Sequence, residues 1–165
     1  AKVLKTFRAR VHAFTRSAPS EENRCEHIDK YWHTGELAEF LQNIDYIINI
    51  MPSTPTTKGM LGGDIFKNAK KDAVFVNVGR GDVISERDIV RSLDLGWISA
   101  AILDVFVHEP LPVDSPLWQH PKVVITPHAA GVSRAEDVAH TFLFNYKRYV
   151  SGAPLMYVVD FSAGY

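Results

Sequence analysis

At 165 residues, with 46% hydrophobic and 22% charged side chains, the chain has the balance of one ordinary globular domain. A formal net charge of -1 at pH 7 argues against a nucleic-acid or anionic-membrane surface, since either needs a basic stripe. Cys25 is the only cysteine, so an internal disulfide is excluded and a reducing, cytoplasmic setting is expected. In its polar surroundings it reads as a spare thiol. No apolar run reaches the ~18 residues of a membrane span. The start, Ala1 to Arg10, carries positive charge without the apolar stretch of a signal peptide. It reads instead as the back end of an amphipathic helix.

In chain order, Val11 to Phe14 reads as a strand and Gly35 to Gln42 as one or two helical turns. Asp45 to Met51 is a near-continuous apolar run, expected of a strand buried on both faces. Pro52-Ser53-Thr54-Pro55 stops it. Asp64 to Asn68 suggests a short helix, and Ala73 to Val78 the next buried strand. Ser85, with Asp88 three residues on, resembles a capping box and opens a helix to Leu95, with Gly96 placed as its C-cap glycine. Ile98 to Val105 and Val123 to Thr126 are further strands, separated by a proline-rich loop. Arg134 to Val150 is a long helix with Ala135, Val138, Ala139, Phe142, Leu143 and Tyr146 on one face. Pro154 to Tyr165 reads as irregular or extended. Strands alternating with helices imply an α/β fold, a doubly wound, Rossmann-type parallel sheet. Ligands in such sheets sit beyond the carboxyl ends of the strands. That rule directs attention to the loops after residues 14, 51, 78, 104 and 126.

Three of those loops carry reactive side chains. Arg80, between Gly79 and Gly81, can present a planar fork to a carboxylate, or can simply be a surface arginine in a glycine turn. Asp104 ends one strand and Glu109 follows five residues on; the two could share acid–base work, one could orient a histidine, or both could be solvated. His128, in Pro127-His128-Ala129-Ala130-Gly131, can exchange a proton near neutral pH. The other six histidines have no comparable setting. With one cysteine and no histidine pair at ligand spacing, no metal site is expected.

Together these segments, Asn77-Val78-Gly79-Arg80-Gly81, Asp104 to Glu109-Pro110 and Pro127 to Gly131, resemble the D-isomer-specific 2-hydroxyacid dehydrogenases. The run Asp45 to Leu61 resembles that family's coenzyme-loop segment. The similarity covers the whole chain. Val11 to Ser17 and the ending Val158 to Tyr165 look most like glyoxylate/hydroxypyruvate reductases within it.

The resemblance implies an oxidoreductase that reduces a small 2-oxoacid with NAD(P)H. Arg80 would bind the substrate carboxylate, His128 would act as general acid, and Glu109 would hold its imidazole. Asp104 would meet the nicotinamide side. Met51, Pro52, Ser53, Thr57, Val78, Gly79, Ala130 and Gly131 would line the coenzyme. NAD-specific relatives place an acid at the end of the first strand, where this chain has Thr15, Arg16 and Ser17. NADP is therefore expected over NAD. A homodimer through the coenzyme domain is implied as well. Residues 1–151 would form that domain and 152–165 a tail returning to a substrate domain.

The sequence departs from the family pattern in one respect: no G-x-G-x-x-G fingerprint is present. The first strand and phosphate loop are expected upstream of Ala1, so a central strand would be lacking and its neighbours would expose edges. The chain then reads as a fragment of a longer enzyme, supported by the intact trio, or as an inactive truncated remnant. A coenzyme-sensing corepressor on the same scaffold is the rival reading.

Overall fold

The computed structural model describes residues 1–162, so the last three residues of the expected tail lie outside the described part. The regular elements are α1 (Lys2–Thr6), β1 (His12–Thr15), β2 (Lys30–His33), α2 (Leu37–Gln42), β3 (Tyr46–Asn49), β4 (Val74–Asn77), α3 (Glu86–Asp94), β5 (Ala100–Leu103), β6 (Val123–Ile125) and α4 (Ala135–Val150). The expected elements all form, most trimmed by one to three residues at an end. The short helix expected at Asp64 to Asn68 is a 3-10 turn over Ile65–Asn68.

The β2 strand, Lys-Tyr-Trp-His, escapes a reading by hydrophobic pattern because only Trp32 is buried. Trp32 packs edge-on to Phe40 and beneath the Lys30 ammonium, which lies 3.4 Å from the ring centroid. Contacts to one buried ring thus hold a strand with no apolar run of its own.

All pairings are parallel. β1 pairs with β2 in one sheet, and β3-β4-β5-β6 lie in that order in a second. Phe75 sits between Ile47 and Ala101 in register, and Ala101 faces Val123. Those residues feed a core of Leu41, Ile47, Phe66, Phe75, Leu93, Ile98 and Leu103 on one face of the larger sheet. Phe66 and Phe75 pack with ring centroids 5.2 Å apart.

α3 crosses that face, and its ends follow from local chemistry. The Ser85 hydroxyl accepts from the Asp88 backbone N–H at 3.1 Å. The Asp88 carboxylate accepts from the Ser85 hydroxyl and from the Gly63 N–H, instead of reaching the Ser85 N–H as a full capping box would. At the far end Gly96 takes φ +67. Trp97 N–H then donates to Ser92 C=O and Gly96 N–H to Leu93 C=O, the Schellman pattern.

The opposite face corrects one expectation. Tyr46, Ile48 and Val124 are 66%, 47% and 56% exposed, so β3 is buried on one face only. No described element covers the other. α4 forms as expected, yet its apolar stripe of Val138, Phe142, Leu143 and Tyr146 is also exposed. The tail folds back on that helix through Asn145, whose amide exchanges two hydrogen bonds with the Met156 backbone.

Between β1 and β3 lies a cavity of about 890 Å³, lined by residues 9–15 and 43–51. Among the described residues neither strand pairs across it. A two-stranded sheet is marginal alone, whereas the four-stranded sheet has a full apolar face. Amide exchange should therefore be slowest in β4 and β5 and fast in β1 and β2. Equal protection of both sheets would show that the smaller one gains its stability elsewhere.

Candidate active site

The parallel register brings three loops to one edge of the sheet, after β4, β5 and β6. Asn77 pairs with Leu103, and Leu103 with Ile125. The residues that follow each of these positions, Val78 to Gly81, Asp104 to Glu109 and Thr126 to Gly131, must emerge side by side.

The histidine and its carboxylate meet directly. His128 Nδ1 lies 2.7 Å from Glu109 Oε2. That contact leaves Nε2 as the nitrogen able to give a proton to a ligand. His128 has φ +51, a left-handed backbone that histidine tolerates better than branched residues. Glu109 is itself anchored, because its Oε1 accepts from the Phe106 N–H at 2.9 Å. The hydrogen bond from His128, then that from Phe106 N–H, hold the Glu109 carboxyl below the usual carboxylate range despite partial burial. The charge of the Arg80 guanidinium lowers it further. Arg80, Glu109 and His128 are all exposed on this edge.

Asp104 is 2% exposed and lies beneath the histidine loop. One carboxylate oxygen accepts from the Thr126 hydroxyl and the Ala129 N–H, the other from the Ala130 N–H at 3.0 Å. Burial opposes its ionisation most strongly, but these hydrogen bonds together keep the carboxyl below its ordinary range. The Asp104 carboxylate thus grips the histidine loop on both sides of His128, by a side-chain hydroxyl before it and by two backbone N–H groups after it. Gly131 stands open, with nothing within 4 Å of a Cβ built there.

Arg80 is held from below. Its backbone C=O accepts from Asn77 Nδ2 at 3.1 Å, and its guanidinium donates to Gly79 C=O at 2.7 Å. Two glycines flank it for steric reasons. A Cβ on Gly81 would sit 2.0 Å from the Phe106 carbonyl carbon, and one on Gly79 would sit 2.8 Å from Met51 O. The glycines let the Arg80 loop touch the loops from β5 and β3.

The loop after β3 spends its hydroxyls within itself and on the turn that follows Arg80. Ser53 donates to Asp82 at 2.6 Å and Thr57 to Pro52 C=O at 2.7 Å. Gly59 N–H donates to Asp82 C=O, tying this loop to the turn that follows Arg80. Thr15, Arg16 and Ser17 stand apart from the trio, at the end of β1 in the other sheet. Thr15 donates to Ser17 C=O, and Thr34 donates to Arg16 C=O, so the β1 and β2 ends are laced together. Thr15 and Met51 both line the cavity between the sheets.

Four contributors escaped the sequence reading: the side chains of Asn49, Asn77 and Asp82, and the Phe106 N–H. For the asparagines a signal existed, since each is the one polar residue near the end of an apolar run. No group of three or more potential metal-binding side chains occurs among the described residues.

Two predictions follow from this packing. Gly81→Ala should cost about 1–3 kcal/mol or more through forced overlap with Phe106, while Gly131→Ala should be nearly neutral; denaturant titration of both decides. Glu109 has a depressed folded-state pKa, so its stabilisation is present above the unfolded value of about 4.3 and is lost as pH falls through the folded one. Glu109→Gln should therefore flatten the acid-side fall of the thermal midpoint. An unchanged acid limb would show that the His128 contact contributes nothing to folding.

Known proteins place this geometry. Residues 1–130 match the family model described as D-isomer specific 2-hydroxyacid dehydrogenase, NAD binding domain. Glyoxylate/hydroxypyruvate reductase A of Photorhabdus laumondii is 37% identical over 130 residues, which are 79% of this chain and 42% of that protein. The NADPH-dependent glyoxylate/hydroxypyruvate reductase of Sinorhizobium meliloti, solved with NADP and sulfate, superposes with a TM-score of 0.91 at 33% identity. That match covers 100% of this chain and 52% of the other. A probable 2-hydroxyacid dehydrogenase of Rhizobium etli, in complex with NADP, HEPES and L(+)-tartaric acid, gives 0.88 at 35% identity over 99% and 52% of the two chains. The chain spans about half the length of these relatives, and it belongs to the D-isomer specific 2-hydroxyacid dehydrogenase family.

Proposed function

We propose that this chain supplies the coenzyme-binding and catalytic half of an NADPH-dependent reductase of small 2-oxoacids, of the glyoxylate/hydroxypyruvate type. The observation that carries the reading is the 2.7 Å contact between His128 Nδ1 and Glu109, on loops that emerge at the same sheet edge as that of Arg80. Relatives that reduce glyoxylate and hydroxypyruvate support the substrate class.

Arg80 offers a fixed cation and a planar fork to the substrate carboxylate, and it stabilises the negative charge that grows on the carbonyl oxygen. His128 holds a proton at Nε2 and gives it to that oxygen. Glu109, ionised and fixed by Phe106 N–H, balances the imidazolium and sets its ring orientation. Asp104 keeps the histidine loop in place from beneath. When bound, the reduced nicotinamide supplies the hydride.

The residues present fit NADP. No carboxylate stands at the end of β1, where Thr15, Arg16 and Ser17 offer a guanidinium and a hydroxyl for a ribose phosphate. The backbone of Met51 to Thr57, Val78, Gly79, Ala130 and Gly131 would line the rest of the coenzyme. Residues 1–151 form the coenzyme domain in this reading and 152–165 return toward the substrate domain. A cytoplasmic homodimer completes it.

The test is NADPH oxidation by glyoxylate and hydroxypyruvate, measured on the complete protein. His128→Ala should lower kcat by about 10²–10⁴. Arg80→Lys should raise the KM for the 2-oxoacid, because an ammonium cannot reproduce the bidentate fork. NADH should serve less well than NADPH. Turnover that survives His128→Ala would remove the histidine from its assigned role, and a clear preference for NADH would remove the reading of Arg16 and Ser17.

A further inference from the structure

We propose that Asn49 and Asn77 form a buried bracket that couples the coenzyme-side loop after β3 to the placement of Arg80. The proposal rests on the functional reading above and names two positioning residues for it. Asn49 and Asn77 are register partners at the carboxyl ends of β3 and β4, 4% and 1% exposed. Asn49 Nδ2 donates to Asn77 Oδ1 at 2.8 Å. Asn49 Oδ1 accepts from the Met51 N–H at 3.1 Å, so it grips the start of the coenzyme-side loop. Asn77 Oδ1 also accepts from the Gly79 N–H at 3.2 Å, and Asn77 Nδ2 donates to the Arg80 C=O at 3.1 Å. One continuous chain of hydrogen bonds therefore runs from Met51 to Arg80.

The amide orientations are dictated by this chain. Turning either amide over would set a donor against a backbone N–H, at Met51 or at Gly79. Only an amide meets the demand, because each side chain must accept from backbone and donate onward. An aspartate at either position could not donate and would bury a charge. The missing side chain of Gly79 completes the bracket. A Cβ there would lie 2.9 Å from Asn49 Nδ2 and 3.0 Å from Met51 N, so the two loops touch across it. Asn77 also reaches the third loop, since its C=O accepts from the Asp104 N–H at 2.9 Å. A shift of Met51 on coenzyme binding must move the Asn49 amide, then Asn77, and with it the backbone of the substrate arginine. The side chains of this network have every polar atom paired, and such networks lose much when one member is removed.

The test uses the complete protein with Asn49→Ala, Asn77→Ala and the double variant. The one backbone group the Asn49 side chain hydrogen-bonds is the Met51 N–H, so a role confined to that loop would change only coenzyme binding. The bracket predicts that Asn49→Ala also raises the KM for glyoxylate, by roughly tenfold. It predicts further that the double variant is little worse than either single one. Amide exchange at Gly79 should quicken in Asn49→Ala together with that at Met51. A folded Asn49→Ala protein with its glyoxylate KM within about twofold of wild type, or strictly additive effects in the double variant, would overturn the proposal. If the alanine variants do not fold, Asn49→Ser, whose single short hydroxyl cannot replace the two amide atoms that meet Met51 and Asn77, is read in the same way. Should the wild type fail to reduce any small 2-oxoacid, the functional reading fails and exchange alone judges the bracket. Quickening at both Met51 and Gly79 then supports it, and a change confined to Met51 overturns it.

Discussion

The parallel ladder of β3 to β6 is the constraint on which the site depends. Parallel strands point the same way, so all their carboxyl ends reach one edge, and the register fixes which residues emerge beside which. Asn49, Asn77, Leu103 and Ile125 stand in a row across four strands. The next residues therefore include Met51, Arg80, Asp104 and His128, whatever their separation in sequence. Beyond that row the loops are locked by short contacts of two kinds. Glycines at 79 and 81 allow backbones to touch, and buried polar side chains at 49, 77 and 104 satisfy the N–H groups thus brought inside. The exposed trio owes its arrangement to this unexposed layer.

The same ladder explains where the structure is open. β3 ends the larger sheet, and the cavity between it and β1 is lined by both strands. Tyr46, Ile48 and Val124 on the uncovered face, and the stripe on α4, are apolar surfaces of the kind that interfaces cover.

Most of this architecture was legible in the sequence, for physical reasons. Apolar runs such as Ile47 to Ile50 and Ala73 to Val76 mark buried parallel strands because both sheet faces of such folds are normally covered. The Ser85 cap and Gly96 turn were legible because caps use few residue types for local reasons. Arg80, Glu109 and His128 were found because their segments resemble a known family, and the contact between His128 and Glu109 gives that resemblance a geometry. The failures also have causes. β2 was invisible because its stability comes from Trp32 packing on Phe40, a tertiary contact. The exposure of one face of β3 could not be read from hydrophobicity, which records what a strand can bury and not what lies over it. The grip of Asp104 on the His128 loop was hidden because spacing alone does not show which backbone groups a buried carboxylate meets.

His128 is held by the Glu109 carboxylate, the backbone of Arg80 is held by Asn77, and Asn49 ties Asn77 to the loop after β3. Each is positioned by strand ends and none by a flexible segment alone, which suits a reaction requiring hydride and proton to arrive at adjacent atoms. The most direct measurement follows the hydride itself. The complete protein, given NADPH deuterated at the transferable C4 position and glyoxylate, should place deuterium on C2 of the glycolate formed. A folded protein that binds NADPH yet yields no labelled glycolate, and none of the corresponding product from hydroxypyruvate, would contradict the account.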